Sequence, residues 1–354
     1  MDNAMTGHFE VPGAADVADG ADGADGVKVM DMADVVIVGG GAAGLAGAVT
    51  LARARRAVLV LDSGSPRNAP AAHMHGYLGH DGTSPADLLA RGRAEAAGYG
   101  AVIRSGAAGT AIAADRLPDG GFLVRCADGS TVRAGRLLVA TGLVDELPPV
   151  PGLRDRWGRD VLHCPYCHGW EVRDQPLAVL ATGPVSVHQA QLWRQWSAHV
   201  TLLSHTWHLT EDDRELLAAR GIAVAEGEVT GLAVAEDRLT GVVLAGGATV
   251  ACQALVVAPR FTARSGVLTS LGLPTATVAR NGHVIGTCVE SDPATGATGL
   301  SGVWVAGNVT APTETVAGAA AQGVRAAVAL HSDLIEAETR RAVEARRARR
   351  AGLV

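Results

Sequence analysis

Lysine is almost missing from this chain: of its 30 Lys and Arg residues, only Lys28 is a lysine. A lysine Schiff base or a phosphate-gripping ammonium is therefore excluded beyond the N-terminal segment. Aromatic residues are also scarce, at 3%, although apolar residues fill 48% of the 354 positions. A sizeable core can be buried, and it must be built mainly from Ala, Val and Leu. No apolar run reaches the roughly 18 residues that span a bilayer. The net charge of −6 gives no reason to expect nucleic acid as a partner. The acidic N-terminus lacks the basic character of a secretory signal. We therefore expect a soluble, cytoplasmic protein of about two domains, without a membrane or nucleic-acid partner.

Five cysteines are present: Cys126, Cys164, Cys167, Cys252 and Cys288. An odd number without a secretory signal is not a structural disulfide framework. Cys126, Cys252 and Cys288 lie in apolar or strand-like stretches and read as small core residues. The close pair is the one that carries chemistry.

Along the chain, residues 1–32 read as a disordered acidic tail, because Ala15 to Gly26 repeats Ala, Asp and Gly without apolar periodicity. Order begins at Asp34-Val-Val-Ile-Val38, followed by glycines, an Ala-rich helical stretch to Arg56, and a second buried run, Ala57 to Leu61. This is a β-α-β unit with parallel strands. Strand-like runs recur at Phe122 to Cys126 and Arg136 to Ala140, and Pro148, Pro149 and Pro151 then make an extended linker. A second β-α-β pattern spans Leu177–Leu180, Val185–Trp196 and Val200–Leu203, and Gly302 to Val305 leads to a helix from about Thr315 to Glu336. The expected fold is α/β, with two Rossmann-like nucleotide-binding domains. The first is discontinuous (33–150 and 262–336), and the second (151–261) carries the close cysteine pair. A basic helix or tail, 337–354, is expected to be a solvated terminus.

Gly39, Gly41 and Gly44 satisfy G-x-G-x-x-G between a strand and a helix. In such a turn the first glycine permits the bend, the second admits a pyrophosphate, and the third lets helix and strand pack closely. The pyrophosphate would rest on the helix N-terminus. Asp62 ends the second strand, 18 residues after Gly44, where a carboxylate can accept from a ribose hydroxyl. The motif marks a dinucleotide site without choosing between FAD and NAD.

In His163-Cys-Pro-Tyr-Cys-His-Gly169, two intervening residues let the sulfurs of Cys164 and Cys167 join in a small ring. Pro165 suits a first helical turn, which puts Cys164 at a helix N-terminus where a thiolate is stabilised. His168 stands ready to exchange the thiol proton. Zinc would need a second ligand pair that does not follow, and covalent haem would need export. A dithiol/disulfide couple is the expectation, and no metal.

These residues resemble the low-molecular-weight thioredoxin reductase family from about Ala33 to Leu334. The likeness rests on Gly39 to Gly44, Asp62, Ala140-Thr-Gly142, C-P-Y-C and Ala306-Gly-Asn308. Within that family the chain is most similar to the branch holding the dithiol oxidases of holomycin and gliotoxin biosynthesis. The string Cys164 to Glu171, Pro66-Arg-Asn68 and His73-x-His75-Gly76 carry that likeness. The resemblance implies FAD on Gly39, Gly40, Gly41, Ala43, Gly44, Asp62, Ser63, Thr141 and Gly142. It also implies that Gly307 and Asn308 reach the ribityl and phosphate groups, although Asn308 stands where the family has Asp. Thr315, Val316 and Ala317 would present amides to the flavin pyrimidine edge, and Asn68 and His75 would line the pocket. Cys167 would face the flavin, Cys164 would exchange with substrate, and His168 would replace the family's Asp acid. A homodimer is implied as well.

The second nucleotide turn departs from the family. Ala181-Thr-Gly183-Pro-Val-Ser186 lacks the first glycine, Pro184 removes a donor, and Ser204-His-Thr-Trp-His208 has no arginine pair for NADPH. His205 or His208 remains as a group that could meet a phosphate. With an intact flavin motif beside a worn NADPH motif, the expected activity is oxidation of a small-molecule dithiol, with dioxygen as acceptor. A thioredoxin-type disulfide reductase fed by ferredoxin or NAD(P)H is the alternative, and a flavin redox sensor is a third.

Overall fold

Val35 to Val38 shows no alternation of apolar and polar residues, the pattern of a strand covered on both faces. In the computed structural model, which describes residues 29–280 and 282–351, all four are buried at the centre of a parallel sheet. The first lobe runs β1 (Val29–Val38), α1 (Ala42–Arg53), β2 (Val58–Asp62), α2 (Pro85–Gly98), β3 (Val102–Ser105), β4 (Ala111–Arg116), β5 (Phe122–Cys126) and β6 (Thr131–Val139). Its sheet has the order β3-β2-β1-β6-β5-β4. β3, β2, β1 and β6 are parallel, and β4 and β5 are antiparallel additions.

β7 (Leu143–Glu146) then carries the chain out of this lobe. The second lobe holds α3 (Leu153–Arg156), β8 (Val161–Leu162), α4 (Pro165–His168), β9 (Leu177–Leu180), α5 (Val185–Trp193), β10 (Val200–Leu203), α6 (Glu211–Ala219) and β11 (Ala223–Ala225). β12 (Val229–Ala235), β13 (Arg238–Leu244) and β14 (Thr249–Ala251) form a separate antiparallel sheet, and β15 (Ala254–Val256) completes the parallel order β11-β10-β9-β15-β8. The return strand β16 (Arg260–Ala263) pairs antiparallel with β7, so outgoing and returning chain run side by side.

After α7 (Gly266–Ser270), β17 (Thr275–Arg280) and β18 (His283–Val289), β19 (Val303–Val305) rejoins the first sheet beside β6. The chain is thus α/β with two parallel nucleotide-fold sheets. The last helix, α8 (Val316–Arg350), packs its small residues on α1. A Cβ at Gly323 would fall 2.0 Å from the Ala43 carbonyl oxygen, and one at Gly47 would fall 2.6 Å from Leu138 Cδ2. Gly323 lets the two helices approach and Gly47 lets α1 settle on β6, so the N-termini of α1 and α8 open at one end of the sheet.

Two boundaries differ from expectation. β1 begins at Val29, because Val29 and Met30 pair with Thr131 and Val132. The rest of the expected tail, 1–28, lies outside the described residues. α8 does not stop near Glu336 but continues through the basic segment to Arg350, since no Gly or Pro stands between Glu336 and Arg350. Arg56 and Arg136 pair with Glu338 and Asp333 along it. Residues 352–354 lie outside the described residues.

Candidate active site

The turn after β1 is shaped by contact as much as by propensity. Gly39 has φ +110°, and a Cβ there would lie 2.3 Å from the Ala140 carbonyl oxygen. One at Gly44 would lie 1.8 Å from the Gly39 oxygen, so this glycine packs helix on strand and does not line the site. Gly41, the N-cap of α1, has nothing within 4 Å of its Cβ position and faces open space. That space is a cavity of about 550 Å³.

The cavity runs from Gly39, Gly40, Gly41 and Ala43 past Asp62 and Ser63. Asn68 and His75 line it from the loop after β2, and Thr141 and Gly142 from the end of β6. Gly307, Asn308, Thr315 and Val316 line it beside α8, whereas Ala317 does not and Ala319 takes that side. Cys164, Cys167 and His168 close it from the second lobe. Residues as far apart in sequence as Gly39 and Ala319 therefore meet around one space.

Asp62 is buried at the end of β2. Its carboxylate accepts from Gly64 N (3.1 Å) and from Arg93 Nη2 (3.1 Å). Asn308 is held inward: its Nδ2 donates to the carbonyls of Ala311 (3.0 Å), Pro312 (3.3 Å) and Glu314 (3.0 Å), and its Oδ1 accepts from Arg67 Nη1 (3.2 Å). Its amide braces the loop into α8, a task that the family's Asp could not perform as a donor. Thr315 caps α8 by accepting from Gly318 N, but its own N–H donates to the Glu314 carboxylate (2.9 Å). The first-turn amides of Val316 and Ala317 are left without intrahelical acceptors.

Cys164 and Cys167 form a disulfide, with Cα atoms 5.3 Å apart. Cys164 is the N-cap of α4 and Pro165 its first residue, and Cys167 N and His168 N both donate to the Cys164 carbonyl (3.2 Å each). Burial pushes the His168 imidazole below its ordinary range, an effect countered by the Glu171 charge and reinforced by His75. Of the other cysteines, Cys126 and Cys252 are buried, and Cys288 is half-buried. Burial lifts the Cys252 thiol to about 12.

Sequence reasoning passed over several residues. His163 lines the cavity, donates from Nδ1 to the Val257 carbonyl (3.0 Å) and stands edge-on to Phe261 (5.4 Å). Burial lowers its pKa, and that hydrogen bond raises it in part. Its place next to Cys164 was the available signal. Arg67 grips Asp145 through two bonds (2.8 and 2.7 Å) and lies over Phe261. Arg93 and Glu314 had no sequence signal, because only the fold brings them to Asp62 and to α8.

The second nucleotide turn is closed on itself. Pro184 is the N-cap of α5, Thr182 N donates to Ser186 Oγ (3.2 Å), and Ser186 N donates to the Gly183 carbonyl (3.1 Å). His205 Nδ1 accepts from Val229 N (3.0 Å), so this ring is built into the start of β12.

A glycine turn on a helix N-terminus and a disulfide-bonded cysteine pair border one cavity, the combination expected of a flavin–disulfide oxidoreductase. The chain belongs to the pyridine nucleotide-disulphide oxidoreductase family, whose model matches residues 33–323. It is an FAD-dependent enzyme of that family. Its fold is similar to the crystal structure of HlmI, with 45% identity, a TM-score of 0.82, and coverage of 94% of this chain and 99% of that one. An oxidoreductase from Agrobacterium tumefaciens is 33% identical with a TM-score of 0.79, over 86% of this chain and 99% of that one. Among curated proteins, thioredoxin reductase aclD of Aspergillus oryzae is 40% identical over 161 residues, 43% of this chain and 49% of its own. The chain spans about half the length of the curated relatives it matches. Among the described residues, no helix is long and apolar enough to cross a membrane.

Proposed function

We propose that this enzyme oxidises a small-molecule dithiol to a disulfide, using the Cys164–Cys167 pair and FAD, with dioxygen as final acceptor. One observation carries the reading: the disulfide and the glycine turn line the same cavity, while the second nucleotide turn is occupied by its own Ser186 and Pro184. The segments 33–150 and 262–336 would hold FAD, with 151–261 presenting the disulfide. The pyrophosphate would lie on α1 at Gly40 and Gly41, the adenosine ribose at Asp62, and the flavin between Asn68, Gly307, Val316 and Cys167. The unfilled Cβ position of Gly41 and the free first-turn amides of α8 fit such a ligand.

FAD, when bound, would supply the two-electron link between the reduced cysteine pair and dioxygen, with peroxide as the product. A substrate thiolate attacks Cys164 Sγ, and Cys167 Sγ departs as a thiolate. The second substrate thiol then attacks the mixed disulfide, releasing Cys164 and the oxidised substrate. His168, kept neutral by burial, accepts the thiol proton, and His163 borders the same space for the second. The protein would act as a cytoplasmic homodimer.

The test is an anaerobic flavin spectrum titrated with dithiothreitol and, separately, with NADPH. Bleaching by the dithiol alone, reversed by air with peroxide formed, is the expected result. Cys164→Ser should lose dithiol turnover and keep its FAD. Rapid bleaching by NADPH, or dithiol oxidation retained in that variant, would overturn the proposal.

A further inference from the structure

We propose that His75 and Glu171 form a clasp that fixes the disulfide segment of the second lobe against the flavin lobe. The inference rests on the dithiol oxidase reading for its catalytic consequence and on geometry for its existence. His75 belongs to the loop after β2, in the first lobe. Glu171 follows α4 by three residues, in the second. His75 Nε2 lies 3.3 Å from Glu171 Oε1, and no sequence spacing predicts that meeting across 96 positions.

The loop carrying His75 is built to present it. Met74 is buried, its N–H donates to the Thr83 carbonyl (3.0 Å), and its carbonyl accepts from Gly82 N (2.9 Å). These bonds close a ring of chain from 74 to 83. Across that ring Asp81 Oδ1 faces His75 Nδ1 (3.2 Å) and accepts from Gly76 N (3.3 Å). The imidazole thus has one carboxylate on each nitrogen, one from its own loop and one from the other lobe. A neutral ring carries one N–H and satisfies one of them, whereas the doubly protonated ring satisfies both. His75 is 23% exposed and Glu171 41%, so the contact is half out of water.

A second contact bears on the same joint. Gly158, with φ +80°, packs so closely on the first lobe that a Cβ there would lie 2.9 Å from Pro70 Cβ. Loop 66–83 therefore meets the second lobe at two places, on either side of the cysteine turn in sequence. Glu171 also acts on His168 by its charge, and so does His75. Both are positioning residues: neither need touch substrate, and together they set where Cys164, Cys167 and His168 stand over the cavity.

The experiment uses the FAD-loaded protein, Glu171→Ala, His75→Ala, the double variant, and Glu171→Gln as the conservative replacement. Anaerobic bleaching by dithiothreitol, which passes through the disulfide, is compared with bleaching by dithionite, which reaches the flavin directly. Backbone hydrogen exchange of segments 73–83 and 164–171 is followed in the oxidised proteins. Each single alanine variant should slow dithiothreitol bleaching about fivefold, and the double variant should be no slower than either. Dithionite bleaching should not change in the Glu171 variants, Glu171→Gln should recover most of the rate, and exchange should rise in both segments whichever residue is replaced. Exchange rising only in the segment mutated, or single effects that multiply in the double variant, would overturn the clasp. If dithiothreitol fails to bleach even the wild-type protein, the oxidase reading fails, and the exchange experiment alone still decides the clasp.

Discussion

Replacing Gly41 with alanine should weaken flavin binding while leaving the flavin-free protein folded. A Cβ at Gly41 meets nothing within 4 Å, and φ −79° with ψ −173° suits any residue. As an N-cap substitution the change costs about 1 kcal/mol or less. The methyl instead fills the face on which α1 offers its amides, so a pyrophosphate must retreat. Losing one charge-assisted hydrogen bond, about 1.5–3 kcal/mol, predicts FAD binding weaker by roughly 10- to 150-fold. Gly39→Ala is the contrasting control, because φ +110° and a Cβ 2.3 Å from the Ala140 oxygen strain the protein itself. Left-handed strain of about 1–2 kcal/mol, before the clash is added, should lower the melting temperature by several degrees. Apoprotein melting followed by circular dichroism, and FAD titration by quenching of flavin fluorescence, separate the two effects. Wild-type FAD affinity in Gly41→Ala, or a melting loss equal to that of Gly39→Ala, would refute the assignment of this space to the cofactor.

Asn308→Asp should destabilise the loop into α8, because a carboxylate would then face three carbonyl oxygens that now accept from Nδ2. The cost should be about 1–3 kcal/mol, partly offset by Arg67, and readable as a lower melting temperature. Gly323→Ala should push α8 off α1, costing about 1–3 kcal/mol by overpacking, and should weaken FAD binding too, since both helix N-termini border the cavity. The depressed pKa values of His163 and His168 also set a sign for acid stability. Near pH 6.5 and below, the unfolded chain takes up protons that the folded protein refuses. Stability therefore rises with pH through the window between the folded pKa values and about 6.5, and it is lost as pH falls through that window. Melting curves from pH 5 to 7 should show this slope, and His163→Gln should flatten it.

The sequence by itself determined what depends on neighbours in the chain. An unbroken β-branched run, a glycine turn, an Ala-rich stretch and an acid at the end of the next run specify a buried parallel strand and a helix N-terminus, because each constraint acts within a few residues. The pair Cys164 and Cys167 was equally legible, since two intervening residues set the ring their sulfurs close. The worn turn at Ala181 could be read as a loss of glycine, but not as a turn that Ser186 fills from within. Charge marks the segment past Glu336 as solvated, but charge alone does not decide between helix and tail.

Only the tertiary structure decided which distant groups share the cavity. Arg93 reaches Asp62 because α2 packs on α1 and β3, next to the end of β2, and Arg67 reaches both Asp145 and Asn308 because β7 leaves the first sheet beside the loop after β2. Asn308 proved to be a brace because three carbonyls converge on its amide, a convergence that exists only once α8 is docked on α1. His75 and Glu171 meet because two lobes do. Spacing in sequence carries no information about such contacts, since they depend on how sheets and helices stack and not on the period of any single element.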